Sequence, residues 1–332
     1  MTETLFLTSD DISGLATPAD YVDRVADGYR QRGDGAPADP RTALFADDPA
    51  GMLTSYTAIL PEDGYMGGYT YSAGFGAGDA WFMTPLFDAD SGEPLALLDG
   101  ASMNPFKTGA TGAVGVDMLA RENATRVGVI GSGAQARGQL RATATVRELT
   151  AVEVYSPTAA NREAFAEEMT ETLGVDVTAV ESSTAAVADA DIVITATSAS
   201  DPVFDGDQLA PGTHVTAMGQ YNPDKRELDT TTIERSTYVP DLRDRATQDA
   251  GSFLHAVDAG VVDESHIHAE LGDVVADNAA GRTSDDEITV FDSGGTAIET
   301  VAAAGMLYER AREQGLGSTV EFAPASDALT GK

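Results

Sequence analysis

Residues 126–140 read RVGVIGSGAQARGQL, and no other stretch limits the fold as much. A short apolar run, VGVI, ends at a loop holding Gly131 and Gly133, and a helical pattern follows at once. A strand that enters a helix through so short a turn needs a freely bending backbone at Gly131. It needs a bare backbone at Gly133, and a small residue, Ala136, where helix meets strand. The free N–H groups and the positive dipole end of that helix suit a pyrophosphate. Beyond it, AVEVYS, ANREAFAEEMTETLG, ADIVITATS and GTHVTAMG alternate strand-like and helix-like patterns. Such alternation implies a parallel sheet covered by helices. The segment Gly131, Ser132, Gly133, Ala134, Gln135 and Ala136 is therefore expected to bind a dinucleotide.

The end of the following strand selects between cofactors, because an acid there binds the ribose hydroxyls of NAD. Here AVEVY runs into Ser156-Pro157-Thr158, and Glu153 lies too early in the strand for that role. The missing acid favours NADP over NAD, with Ser156, Thr158 and Arg162 as its contacts. Ligands of open parallel sheets lie beyond the carboxyl ends of the strands. That rule places Thr197, Ser198 and Gly219 on the nicotinamide side. Ser293-Gly294-Gly295 opens the last long helix, so Ser293 and Gly295 are expected to offer free N–H groups to the nicotinamide amide or a substrate carboxylate.

The first hundred residues read differently. PADYVDRVADGYRQR, 18–32, spaces Tyr21, Val22, Val25 and Tyr29 as one helix face behind a starting proline. GMLTSYTAILP and GYTYSAGF read as strands, and WFMTPLFDADSGEPLALLDG as a hairpin turning at 88–92. Consecutive strands suggest an antiparallel or mixed sheet. TGATGAVGVDMLARENA predicts a helix ending near Asn123. EITVFDSGG predicts a strand and turn, and TAIETVAAAGMLYERAREQG a long helix closing at Gly315.

Composition narrows the function. Fifty-four acidic side chains against 20 basic ones give a formal charge of -34, spread evenly along 332 residues. Only three of the basic residues are lysines: Lys107, Lys225 and Lys332. That carpet reads as adaptation to high salt, where the Debye length falls to ~3 Å at 1 M and self-repulsion is screened. Nothing basic is clustered enough to follow phosphates, so nucleic acid is not an expected partner. The absence of cysteine excludes disulfides and thiolate chemistry. No uncharged apolar run approaches ~18 residues, and MTETLFLTSDDISG is not a signal peptide, so a cytoplasmic protein without a membrane partner is expected.

Several segments together carry a family resemblance: LFDADSGEPLALLDG, KTGATGAVGVDMLAR, VGVIGSGAQARGQL, ADIVITATSASDPVF, APGTHVTAMGQYNPDKREL, HIHAELGDVVA and EITVFDSGGTAIE. In this order they resemble the ornithine cyclodeaminase and mu-crystallin family, in the guise of an acidic haloarchaeal-type member. The resemblance implies an α/β protein whose Rossmann domain, 119–298, is inserted into a discontinuous α+β domain for substrate binding and dimerisation, 1–118 with 299–332. It implies a homodimer, NADP or NAD as cofactor, and hydride transfer at the α-carbon of a small amino or imino acid. Alanine dehydrogenase or ketimine reductase activity is expected first. Ornithine cyclodeamination, and cofactor-dependent ligand binding without turnover, are the alternatives.

Within that resemblance Arg41 matches the arginine that grips the substrate carboxylate, a task suited to a guanidinium fork. Three family positions have changed. The R-T-[AG]-A motif is Lys107-Thr108-Gly109-Ala110, the catalytic lysine falls at Tyr69, and the cyclodeaminase aspartate falls at Tyr221. Lys107, Tyr69 and Tyr221 are thus the candidates for proton transfer, with Lys107 also a candidate for holding the carboxylate. His266 and His268 stand too close in sequence to share a helix face, so no metal site is expected. Lys225 and Glu227 are read as an ion pair that shapes a loop.

Overall fold

The computed structural model describes residues 1–330. Elements are numbered in chain order. The chain divides into two compact units, 1–107 with the segment from Thr296 onward, and 108–295. The expected bounds lay at 118/119 and 298/299. The helix α3, Asn104–Leu119, starts earlier than its small-residue pattern suggested and ends four residues sooner, at Leu119.

The first unit is built on a seven-stranded mixed sheet. Its strands are β1 (Thr2–Leu7), β2 (Thr42–Asp47), β3 (Ala50–Leu60), β4 (Tyr65–Gly74), β5 (Asp79–Asp88), β6 (Pro94–Asp99) and β14 (Ser318–Phe322), in the order β14-β1-β6-β5-β4-β3-β2. Strands β2 to β6 form an antiparallel meander, and β1 lies parallel to β6. Along β3 alternate residues are buried: Met52, Thr54, Tyr56, Ala58 and Leu60. A sheet with one covered face produces that period of two.

Helices α2 (Pro18–Gly33) and α11 (Ala297–Gln314) pack together in this unit. Thr17 caps α2 in a reciprocal box with Asp20, with Pro18 in the first turn. Val25 and Tyr29 are fully buried, each stabilising the fold by ~1.5–3 kcal/mol. Two short helices, α1 (Ser9–Ile12) and α12 (Ala325–Thr330), complete the unit. The first hundred residues thus form the mixed sheet that their patterns predicted, while β2 and β14 lay outside any reading of the sequence.

The second unit holds seven parallel strands: β7 (Arg126–Ile130), β8 (Ala151–Tyr155), β9 (Val177–Ala179), β10 (Ile192–Thr195), β11 (His214–Ala217), β12 (Ser236–Pro240) and β13 (Ile288–Asp292). Their order is β12-β13-β11-β10-β7-β8-β9. Chain direction across the sheet reverses between β7 and β10, the switch point at which such sheets open a crevice. The helices are α4 (Ala134–Val146), α5 (Ala159–Leu173), α6 (Ser183–Val187), α7 (Thr230–Glu234), α8 (Arg243–Asp249), α9 (Gly251–Asp258) and α10 (Leu271–Val275). Val127, Val129, Ile192 and Ile194 feed one apolar cluster, and Ile130, Val193 and Val215 another. The sheet is therefore buried on both faces, which is why its strands read as continuous apolar runs. Gly109 brings α3 against α4: a Cβ there would lie 2.3 Å from the Gly138 carbonyl oxygen.

Candidate active site

The turn after β7 has the properties that its glycines demand. Gly131 sits at φ +119°, and a Cβ would stand 2.3 Å from the Ala196 carbonyl. Gly133 meets nothing within 4 Å of where its Cβ would be, and no side chain caps α4. Backbone N–H groups at Ala134, Gln135 and Ala136 thus open the helix beneath a free space, and a pyrophosphate fits there. Ala136 is fully buried, as helix–strand packing requires. Ser132 Oγ donates to Ser156 Oγ at 2.9 Å, tying the loop to the end of β8. Arg137, which sequence reasoning passed over, clamps the same loop by donating to the Ser132 carbonyl and to Glu168 Oε2 at 2.7 Å.

The structure corrects three expectations in this unit. Arg162 does not reach out toward a phosphate. Its guanidinium is buried, donating to the Ser156 carbonyl at 3.1 Å and to Glu181 Oε2 at 2.8 Å. Thr158 is exposed before α5, and Glu153 pairs loosely with Arg126 at 3.8 Å. The amides of Gly294 and Gly295 are not free either. Both donate to Asp241 Oδ2, at 3.0 and 3.2 Å, and Ser293 Oγ joins them at 2.7 Å. Asp241 belongs to a buried network in which Arg245 holds Asp241 at 2.7 Å and Asp292 at 2.8 Å, while Tyr238 donates to Asp292.

Nor does Glu227 pair with Lys225. Its carboxylate accepts from the Thr197 N–H at 2.7 Å, the Gly219 N–H at 2.8 Å and Thr195 Oγ1 at 3.0 Å. It thereby fastens together the carboxyl ends of β10 and β11. Gly219 is small because a Cβ would fall 2.4 Å from this carboxylate. Burial pushes the Glu227 carboxyl up to about 7 against the donors that lower it. Ser198 is exposed, and Tyr221 is 39% exposed. His266 and His268 each direct Nε2 at a backbone carbonyl, of Ile233 and Ala280.

In the first unit two of the changed family positions, Lys107 and Tyr69, come together, while Tyr221 lies in the second unit. Lys107, in the first turn of α3, is 2% exposed, and its Nζ lies 5.0 Å above the Tyr69 ring. Arg41 is also buried, with its guanidinium over Tyr56 at 5.5 Å and donating to the Tyr71 hydroxyl at 3.3 Å. Tyr56, Tyr69, Tyr71 and Phe82 are mutually packed, with ring centroids between 4.9 and 5.9 Å. Two buried cations thus lie on an aromatic floor, which favours cations through ring faces. The Tyr69 hydroxyl donates to the Gly100 carbonyl at 2.9 Å, and burial pushes its ionisation well above the ordinary value. Its proton is engaged, so Tyr69 contributes its ring more readily than its hydroxyl.

The counter-charge to Lys107 is Glu299, 3.3 Å from Nζ and fully buried. Sequence reasoning missed it. A signal was available: Thr296 and Glu299 have the spacing of a capping box, and a buried lysine requires an anion. Burial lowers the Lys107 ammonium, Glu299 raises it, and Arg41 lowers it further.

These features define a two-unit α/β protein with a Rossmann-type NAD(P)-binding unit. The chain belongs to the ornithine cyclodeaminase/mu-crystallin family, which it matches over residues 2–315. It is 38% identical over 238 residues to a Delta(1)-pyrroline-2-carboxylate reductase of Bacillus cereus, covering 71% of this chain and 73% of that one. The structure of Thermococcus litoralis Delta(1)-pyrroline-2-carboxylate reductase in complex with NADH and L-proline matches with a TM-score of 0.91 and 33% identity, over 96% of this chain and 100% of that one. An archaeal alanine dehydrogenase dimer with bound NAD matches with a TM-score of 0.90 and 30% identity, over 97% and 100%.

Proposed function

We propose that this protein is an NAD-dependent oxidoreductase acting at the α-carbon of a small amino or imino acid, and that it reduces a cyclic imine carboxylate such as pyrroline-2-carboxylate. The observation that carries this reading is the buried pair of cations, Arg41 and Lys107, on the tyrosine floor. One carboxylate needs one strong anion site, and Arg41 has the fork for it. A second cation with a tunable proton is what reduction of a C=N bond needs. When bound, the nicotinamide supplies the hydride to the α-carbon. The Gly131–Ala136 loop, with Ser132 and Ser156, holds the cofactor, and Glu227 keeps Thr197 and Gly219 in place beside it.

The cofactor assignment departs from the NADP preference drawn from the missing acid after β8. Glu181 offsets the Arg162 charge that a 2′-phosphate would need, and the relatives above carry NADH or NAD. Ornithine cyclodeamination is disfavoured because Tyr221 stands where the aspartate belongs.

Homodimer formation is supported by the uncovered face of the first sheet. There Leu44, Leu53, Trp81 and Met83 are 67, 46, 55 and 59% exposed, on strands that align them across one face. Exposed apolar patches of this kind mark interaction surfaces. The charge of -34 supports a haloarchaeal-type protein working in concentrated salt, and dependence on NAD supports a cytoplasmic location.

The test is an assay in multimolar KCl with NADH and pyrroline-2-carboxylate or pyruvate plus ammonia, and with NAD⁺ and L-ornithine. NADH consumption with the cyclic imine is the expected result. Proline and ammonia from ornithine without net cofactor change would establish a cyclodeaminase instead. Tight NADH binding with no turnover would establish a binding protein.

A further inference from the structure

We propose that Glu299 is the positioning residue that keeps Lys107 charged and aimed, so that the Lys107 ammonium is the proton donor to the imine nitrogen. The proposal rests on the imine-reductase reading above. In the step, the C=N π pair collapses onto nitrogen, which takes a proton from Lys107 Nζ. The α-carbon receives the nicotinamide's hydride, NADH becomes NAD⁺, and Lys107 regains its proton from water.

Two neighbouring groups are poorly suited to give up a proton. The Tyr69 hydroxyl is committed to the Gly100 carbonyl. The Arg41 guanidinium, which donates to the Tyr71 hydroxyl at 3.3 Å, does not release protons. Lys107 is different in kind. Its ammonium carries three protons, and it lies 3.3 Å from Glu299 Oε1 over the face of the Tyr69 ring.

Glu299 is itself fixed more firmly than a helix cap requires. Oε1 accepts from the Thr296 N–H at 2.7 Å, and Oε2 accepts from Thr296 Oγ1 and from the Tyr29 hydroxyl at 3.4 Å. These contacts fix the carboxylate in place at the start of α11.

Glu299 comes from α11, Arg41 from the segment before β2, and Tyr69 from β4, with Tyr56 and Tyr71 flanking that ring. Tyr29 on α2 donates to Glu299 Oε2 at 3.4 Å. Burial and Arg41 both drive Lys107 toward the neutral amine, and Glu299 opposes them. Without a partner, buried lysines fall to ~5–6 and are amines at neutral pH, unable to donate. Glu299 therefore decides whether Lys107 can act as an acid, although it touches no substrate atom.

The chain has only three lysines, so protein labelled with ¹³Cε-lysine reads Lys107 directly, with Lys107→Met identifying its signal. In the full-length protein in KCl, the Lys107 signal is expected to titrate together with the basic limb of kcat/KM for NADH-driven reduction of pyrroline-2-carboxylate. Glu299→Gln keeps an acceptor for the cap but removes the charge. It is expected to move both midpoints down by a pH unit or more, which is about tenfold in the ammonium-to-amine ratio. Thr296→Ala removes one donor to the carboxylate while leaving its charge, and should lower Tm while moving both midpoints less than Glu299→Gln does. An unshifted Lys107 signal in Glu299→Gln would overturn the positioning role. A wild-type basic limb that does not follow the Lys107 titration would overturn the donor role, whether or not the variants fold. Absence of turnover with every imine would instead sink the functional reading, and the labelled-lysine titration separates the two failures.

Discussion

Acidification should cost this protein stability through one buried histidine, and the cost can be worked from His214. The residue lies in β11, fully buried. Nδ1 is 2.9 Å from Thr289 Oγ1, and Nε2 is 2.9 Å from Thr216 Oγ1. The Thr289 hydroxyl spends its proton on the Leu119 carbonyl at 2.9 Å, so it accepts from the ring. Nδ1 therefore carries the proton, and Nε2 accepts from Thr216. Burial, then Arg282 and Arg147, hold the ring down to about 3. The unfolded ring titrates near ~6.5. The stability associated with a neutral ring is thus complete above that value and falls as pH drops from it toward about 3. Each unit costs ~1.4 kcal/mol, so pH 5 costs about 2 kcal/mol. Glu227 works in the opposite sense, since its raised carboxyl binds a proton more readily folded than unfolded. Comparing wild type with His214→Gln cancels that contribution. Urea unfolding at fixed KCl should show the wild-type advantage shrinking by about 2 kcal/mol between pH 8 and pH 5. An advantage that stays flat across that range would mean the ring accepts a proton inside the fold, and the burial argument would be wrong.

Three other outcomes follow from the geometry. Gly131→Ala places a Cβ against the Ala196 carbonyl at positive φ. It should cost ~1–3 kcal/mol and weaken NADH binding in a fluorescence titration. Arg245→Met leaves Asp241 and Asp292 buried without their cation, and a loss of ~3–5 kcal/mol should appear in denaturant unfolding. Glu181→Gln frees Arg162 from its acid, so the ratio of NADP to NAD affinity should rise about fivefold, the equivalent of ~1 kcal/mol. An unchanged ratio would remove Arg162 from any part in cofactor choice.

The sequence carried local signals well. The Gly131 turn, the α2 face of Tyr21, Val25 and Tyr29, and the stop of α11 at Gly315 were all readable, because each is decided within a few residues. Gly315 indeed adopts φ +65°. The mixed character of the first sheet was readable in kind but not in order, since β1 pairs with β6 and β14 from far along the chain. The failures share one cause. Glu299 against Lys107, Asp241 against the Gly294 and Gly295 amides, and Glu181 against Arg162 are pairings of a carboxylate with a group distant in sequence, and no local pattern records the partner. A helix opening with three small residues looked like an anion site because Asp241, the built-in anion that already fills it, lies more than fifty residues away in sequence. Tyr69 packs beside Lys107, but only the Gly100 carbonyl shows where its proton goes.

The first unit is made of two pieces of chain, and this governs the order in which the protein can be made. The Lys107–Glu299 pair joins residues 192 positions apart. On the first sheet, β1 waits for β14, and on α2 the surface at Gly28 waits for Ile298 and Ala302. The second unit, 108–295, is by contrast contiguous. During synthesis it has all its strands before the first unit has its last helix. A chain arrested after Gly295 should therefore yield, under limited proteolysis, a resistant fragment beginning near Thr108 and a digested N-terminal hundred residues. Protection of both parts would show that α11 and β14 are not needed to hold the first sheet. On the structure as it stands, the earliest-made third of this protein is the last to be finished.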